Sequence, residues 1–290
     1  MKIGFIGQGF IGKHMADDFV DRGFEVVRYA LEDEYVNNKS DIKNCEVVFI
    51  AVPTPTTPKG FDDSILQSAL TLVGRGKVAV IKSTILPGKT REFSKSFPHL
   101  TVMHSPEFLT EKNVQHDTKK PKRNIIGVPE MTSSYMKTAK KILAILPSAP
   151  YEKICLAEEA ELIKYGGNIF LAMKVIFMNT IYEIANNLET DYEVVAEAMG
   201  ADDRIGYSHM KIIDSSGHDK TSLGRGAGGH CFPKDLSALR KYCESCDLDK
   251  STIEILKVIE KKNIKLLCDS KKDLDLLMEI YGCDVCKRKD

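Results

Sequence analysis

The 290-residue sequence has no excess of either charge: Lys+Arg and Asp+Glu both number 41, so the formal net charge is zero and the pI is about 7.0. That argues against nucleic acid as the main partner, because phosphate binding calls for a net basic surface. No run of ~18 apolar residues is evident, so no transmembrane helix and no membrane partner is expected. The opening stretch MKIGFIGQGF has no separate apolar core and cleavage site, so no signal peptide is expected. Eight Cys are far fewer than a disulfide scaffold carries. With no secretion signal, the thiols are expected to be reduced, in a cytoplasm. Hydrophobic residues make up 43% and charged residues 28%, the balance of a globular chain. The length fits about two domains, and an enzyme is the leading class.

The first half alternates two kinds of segment. KIGFI (2–6), EVVRY (25–29), EVVFIAV (46–52), KVAVIK (77–82), LTVMH (100–104) and NIIGV (124–128) are short apolar runs of strand type. Between them, Phe10–Arg22 places Ile11, Met15 and Phe19 on one helical face, and Asp62–Val73 also has helical spacing. Alternation of this kind predicts right-handed βαβ units and a parallel sheet, an α/β fold of Rossmann type over 1–155. The second half, 156–290, predicts an all-helical domain. One long helix runs from Leu156 to about Leu188, a shorter one covers 191–199, and helices resume at Pro233–Cys246 and Ser251–Leu267 after a polar, Gly-rich stretch at 201–230. The charged KRKD tail is expected to fray.

Gly7, Gly9 and Gly12 form GxGxxG in Gly7-Gln8-Gly9-Phe10-Ile11-Gly12, after a strand and at the opening of a helix. In that setting the first glycine permits a tight turn, the second lets backbone approach a pyrophosphate, and the third lets helix pack on strand. A glycine turn without a cofactor is the bland alternative. An acidic residue is expected at the end of the second strand to hold the ribose hydroxyls, but that place falls on Ala30. Glu32 and Asp33 lie just beyond it, and Arg28 just before it suits a 2′-phosphate. NAD is favoured and NADP stays open.

Further motifs follow in order: VPTP (52–55), STILPG (83–88), SPEFLTE (105–111), ELIKYGGN (161–168) and GAGGHCFPKD (226–235). In this order the chain resembles the nucleotide-sugar (UDP-glucose/GDP-mannose) dehydrogenase family, from residue 1 to about 265, with GGxCFPKD the most specific motif. The resemblance implies NAD as cofactor, a homodimer, and a two-step oxidation of a sugar CH₂OH to a carboxylate. UDP-glucose is the first substrate to expect. Family members usually carry a third domain that closes over the nucleotide; 268–290 are too few residues to supply it, so the chain resembles a shortened member.

The resemblance also assigns residues. Cys231 is the nucleophile that holds the aldehyde as a thiohemiacetal and then a thioester. Its setting suits a thiolate, because Pro233 opens a helix and Cys231 stands just ahead of that helix's N-terminus, with Lys234 close by. A small core cysteine is the bland alternative. Lys164 and Asn168, four residues apart on one helical face, hold the oxygen at the reacting carbon. Glu107 is an acid/base for thioester hydrolysis, Asp235 positions water or activates the alcohol, and Thr84 orients the catalytic water. The cofactor is assigned Gly7, Gly9, Phe10, Ile11, Gly12, Val52, Thr54, Pro55, Ser83, Thr84, Glu111 and Lys234. The substrate is assigned Glu107, Phe108, Leu109, Lys164, Asn168, Gly226 and Gly228, with Arg204 as a cation for its diphosphate.

Three other readings compete. A single-step hydroxy-acid dehydrogenase would use Lys164 and Asn168 but has no need of Cys231. A non-catalytic NAD-binding subunit would need a partner chain. The pairs Cys243-x-x-Cys246 and Cys283-x-x-Cys286 have the spacing of a structural zinc site, although no metal is expected.

Overall fold

The computed structural model describes residues 1–110, 113–219 and 221–287. Glu111 and the last three residues of the KRKD tail therefore lie outside the described residues. The chain divides into two compact units, Met1–Thr54 with Asp62–Lys164, and Pro55–Phe61 with Tyr165–Asp290.

The first unit opens with β1 (Lys2–Ile6), α1 (Phe10–Asp21), β2 (Glu25–Tyr29) and β3 (Val47–Ile50). A hairpin of β4 (Thr56–Thr57) and β5 (Gly60–Phe61) then interrupts it and belongs to the second unit. The first unit resumes with α2 (Ser64–Leu70), β6 (Val78–Ile81), α3 (Lys89–Ser96), β7 (Thr101–His104), α4 (Val114–Lys119), β8 (Arg123–Val128), α5 (Ser133–Ile145) and β9 (Tyr151–Leu156). Seven strands form one sheet in the order β2-β1-β3-β6-β7-β8-β9. Its central strands are almost wholly apolar and buried, which is what a sheet covered on both faces selects. Under it, Phe19 of α1 packs 5.4 Å from both Phe5 and Phe49.

The expected parallel sheet is parallel at every pairing but β7–β8, which is antiparallel. Among the described residues the connection 105–122 carries α4, a helix of six residues that spans roughly 9 Å, and β8 runs back beside β7 at the His104–Gly127 pair.

The helix α6 (Ala157–Asn187) carries the division between the units, which falls between Lys164 and Tyr165. The second unit continues with α7 (Tyr192–Gly200), the hairpin β10 (Asp214–Ser215) and β11 (Leu223–Gly224), α8 (Phe232–Glu244), α9 (Lys250–Ser270) and α10 (Leu274–Tyr281). Lys241 of α8 ties the β4–β5 hairpin to this unit, donating to the carbonyls of Thr57 at 2.9 Å and Pro58 at 3.2 Å.

Two expectations need correction. By length and mean hydropathy α6 does suffice to cross a membrane, although its sequence is not an unbroken apolar run. Its charges tell against that use: Glu158, Glu159, Glu161 and Lys164 crowd the first two turns, and Lys174 donates to the carbonyls of Ile205 and Gly206. The cysteines also differ from an all-thiol chain. Cys268 and Cys286 form a disulfide, with Cα atoms 5.5 Å apart, inside the normal bridging range. That bond breaks up the second CxxC pair, and no group of three or more metal-binding side chains gathers among the described residues.

Candidate active site

The glycine motif separates into three different tasks. Gly7 has φ +89°, and a Cβ there would stand 2.3 Å from the Ala51 carbonyl oxygen. A Cβ on Gly12 would stand 1.9 Å from the Gly7 oxygen. Both glycines are imposed by backbone packing alone. At Gly9 a Cβ would meet nothing within 4 Å, so this glycine leaves open space. Gly9 also caps α1, and among the described residues no side-chain cap is made to the first N–H groups of that helix. Open space facing uncapped N–H groups is what a pyrophosphate requires, so these residues fit a dinucleotide. Phe10 and Ile11 begin the helix there.

The VPTP and STILPG turns are laced to each other. Ser83 Oγ donates to the Val52 carbonyl at 2.7 Å, and Thr54 Oγ1 donates to the Thr84 carbonyl at 2.7 Å. Pro55 begins the segment that joins the second unit. At the end of β2, Arg28 is committed elsewhere: its guanidinium pairs with Asp17 at 2.6 Å. Ala30 is buried, while Glu32 and Asp33 are exposed.

A buried polar cluster lies at the end of β6 and β7. Glu107 receives Lys164 Nζ at 2.7 Å on one oxygen and the Leu109 N–H at 2.7 Å on the other. Both members of this ion pair are nearly inaccessible. Lys82, one residue past β6, donates to Ser105 Oγ at 3.1 Å and to the Pro106 carbonyl at 3.4 Å. Burial pushes its ammonium down to about 8, against the pull of Glu107 and with the help of Lys164. Beside it, His104 is fully buried with neither ring nitrogen hydrogen-bonded among the described residues. Burial and the Lys82 charge push it down to about 3, so it stays neutral. Phe108 packs under the Arg123 guanidinium at 3.7 Å. Glu107, Phe108, Lys82 and Arg123 help line a cavity of about 420 Å³.

Sequence reasoning did not single out Lys82, His104 or Glu161. Glu161 is buried on α6 and accepts from the N–H groups of Gly88 and Thr90 and from Thr90 Oγ1, at 2.6–2.8 Å. It thus caps α3 and fixes the STILPG turn, while burial raises its carboxyl to about 7. The signal for Glu161 was its place at the head of ELIKYGGN, and for Lys82 its place at the end of the KVAVIK run, just ahead of STILPG; nothing in the sequence marks a histidine as buried.

In the second unit, Cys231 is the exposed N-cap of α8, with Pro233 in its first turn. Asp235 is buried and receives Asn168 Nδ2 at 2.6 Å and Lys234 Nζ at 2.5 Å. The carboxylate thereby orients the amide of α6 and holds the lysine. Gly226 has φ +88°, and Gly228 abuts Asp273. Arg204 is exposed and pairs with Asp202 at 2.5 Å.

Comparison with known proteins bears on this arrangement. Residues 33–146 match the NAD binding domain model of the UDP-glucose/GDP-mannose dehydrogenase family, and residues 158–264 match the central domain model of the same family. The UDP-glucose 6-dehydrogenase TuaD of Bacillus subtilis is 32% identical over 262 residues, which covers 84% of this chain and 51% of the relative. The chain spans about half the length of the curated relatives it matches. A UDP-glucose dehydrogenase structure from Pyrobaculum islandicum superposes with a TM-score of 0.77 at 26% identity, covering 97% of this chain and 71% of the other. A 3-hydroxyisobutyrate dehydrogenase from Mycobacterium tuberculosis shares the fold, with a TM-score of 0.69 at 13% identity over 99% of this chain and 98% of the other.

Proposed function

Since the chain belongs to the UDP-glucose/GDP-mannose dehydrogenase family and carries its NAD-binding domain, we propose that it oxidises the CH₂OH of a nucleotide sugar to a carboxylate in two steps, with UDP-glucose as the first candidate substrate. The observation that carries this reading is Cys231 at the head of α8, beside an Asp235 carboxylate that orients Asn168 and Lys234.

Gly7, Gly9, Gly12, Phe10 and Ile11, with the laced turns at Val52, Thr54, Pro55, Ser83 and Thr84, would hold NAD, which when bound supplies the hydride acceptor for both oxidations. Glu111 and Lys234 complete the proposed cofactor set. The Cys231 thiolate, favoured by the helix N-terminus, adds to the aldehyde carbon; a C–S bond forms and the carbonyl electron pair moves to oxygen. The Lys164 ammonium and the Asn168 amide stabilise that oxyanion. After the second oxidation the carbon is a thioester. Water, oriented by Thr84, gives up a proton to Glu107 as its oxygen attacks; the C–S bond breaks, returning thiolate and releasing the acid. The 2.7 Å Glu107–Lys164 contact supports this assignment, because it fixes the carboxylate in a buried place. Phe108, Leu109, Gly226, Gly228 and Arg204 remain the proposed substrate contacts.

We also infer a homodimer. Phe170 is 66% exposed and Phe177 54% exposed, and with Met173, Ile184 and Leu188 they make an apolar stripe along the second-unit part of α6. Sedimentation at micromolar concentration tests it: a dimer is expected, and a monomer contradicts it. The reading further places the protein in the cytoplasm, with the Cys268–Cys286 bond as the observation that pulls the other way. The second reading is a one-step hydroxy-acid dehydrogenase, favoured by the full-length fold likeness to a hydroxy-acid enzyme. Replacing Cys231 separates the two. Under the thioester route Cys231→Ser still binds NAD⁺ and loses uronate formation by ~10³-fold or more. Uronate formation by that variant at the unaltered rate would refute the route.

A further inference from the structure

The glycines ahead of Cys231 invite the interpretation that a ligand approaches them, but the structure shows what stands against two of them. A Cβ on Gly228 would come within 2.1 Å of Asp273 Oδ2, and one on Gly224 within 2.8 Å of both Ser270 Oγ and Lys272 Cβ. All three partners come from the end of α9 and the turn that follows it.

The backbone between Gly224 and Gly229 is hydrogen-bonded almost residue by residue to side chains of that region. Lys272 Nζ donates to the carbonyls of Gly226 at 3.0 Å and Gly224 at 3.4 Å. Ser270 Oγ receives the Arg225 N–H at 3.0 Å. Asn263 makes a two-way pair with Ala227, accepting its N–H at 2.8 Å and donating to its carbonyl at 2.9 Å. Asp273 receives the Gly229 N–H at 2.7 Å on one oxygen and Ser216 Oγ at 2.7 Å on the other. One residue nearer the thiol, His230 is hydrogen-bonded to His218, which is bonded in turn to Asp275.

Lys272 and Asp273 are each only 4% exposed, a burial that charged side chains adopt when they are paired or saturated with hydrogen bonds. Asp273 also sits at φ +52°, a left-handed conformation that Asp tolerates better than most residues. The turn that presents this pair spends backbone freedom to aim two buried charges at the loop. Ser270, Lys272, Asp273 and Asp275 all lie beyond residue 264, where the match to the family's central domain ends.

We propose that Lys272 and Asp273 are positioning residues for Cys231: the turn between α9 and α10 moulds the 224–230 loop, so that the thiol is presented at the N-terminus of α8. This rests on Cys231 being the reactive thiol but not on which sugar it serves. Without the mould the seven loop residues, four of them glycine, regain their conformational freedom, and Cys231 is no longer fixed at the helix N-terminus, where the dipole favours a thiolate.

The test is the pH profile of Cys231 alkylation by iodoacetamide, read by mass spectrometry of the Cys231 peptide in the full chain, with melting temperature and NAD⁺ binding measured alongside. Asp273→Ala should slow alkylation at pH 7 about tenfold and move the midpoint up by about one unit, with NAD⁺ binding unchanged. Asp273→Asn, which keeps an acceptor for the Gly229 N–H, should restore most of the rate. If Asp273→Ala does not fold, Ser216→Ala and Lys272→Met carry the same expectation with smaller shifts. A folded variant that binds NAD⁺ and alkylates with the parent profile overturns the proposal. If Cys231→Ser makes uronate normally, the nucleophile assignment fails, and the alkylation profile still decides the mould.

Discussion

The two side chains at the centre of the proposed chemistry are secured in opposite ways. Lys164 is held from inside: it is buried, paired to Glu107, and set in a cluster with Lys82 and His104 whose charges are tuned by burial. Cys231 is held from outside: it is exposed on a loop whose backbone is fastened by side chains of a later segment. The difference follows from what each group must do. An ammonium that stabilises an oxyanion gains strength from a low dielectric and can be built into a core. A nucleophile must reach a substrate and leave it again, so it belongs on an accessible loop, and rigidity has to be supplied by hydrogen bonds.

The sharpest way to break this contrast is to remove the internal pair. Lys164→Met leaves Glu107 buried without its cation and should destabilise the chain by about 3–5 kcal/mol, read by chemical denaturation; a loss below about 1 kcal/mol would show that the pair is not buried in solution. Next comes the glycine motif, where packing and ligand roles can be separated. Gly12→Ala should cost about 3 kcal/mol, because the new Cβ meets a backbone oxygen. Gly9→Ala should leave stability within about 1 kcal/mol and weaken NAD⁺ binding at least tenfold by calorimetry. Equal stability losses at the two glycines would erase the distinction drawn between them.

The external fastening has its own test. The Cys268–Cys286 bond closes the segment carrying Lys272, Asp273 and Asp275. Under oxidising conditions Cys286→Ser should lower stability by up to about 3 kcal/mol, and the gap should vanish when both proteins are reduced. The smallest effect concerns Glu161. Its carboxyl is raised to about 7 in the folded chain, above its ordinary value near 4.5. Between those values the folded state keeps a proton that the unfolded state has lost. This contribution is full below about pH 4.5 and declines as pH rises through 7. Glu161→Gln should flatten that decline in a urea titration series; an unchanged slope would count against the buried carboxyl.

Much of this was legible in the sequence, for identifiable reasons. Strands such as KIGFI and EVVFIAV announce themselves by apolar runs, and α6 by uninterrupted helical spacing. β9, in YEKICL, was missed because three of its six residues are exposed and charged or polar, so no apolar run forms. α10 was missed because it follows a turn of Lys and Asp that looks like a tail. The antiparallel β7–β8 pair was illegible because an apolar run such as NIIGV carries no mark of its strand's direction. For the site, motifs brought forward Cys231, Lys164, Asn168, Asp235 and Glu107, and the structure joins them in the pairs Glu107–Lys164 and Asn168–Asp235. Lys82 and the Lys272–Asp273 turn were invisible for a common reason: a buried lysine and an exposed one are the same letter.

The central claim is that this chain performs a four-electron oxidation. The most direct measurement is NADH absorbance with the purified chain, excess NAD⁺ and a limiting amount of each of several nucleotide sugars. The account predicts two NADH per sugar consumed with one member of the panel, UDP-glucose first, and none with Cys231→Ser beyond background. One NADH per sugar, or silence across the panel from a protein that still binds NAD⁺, would contradict it.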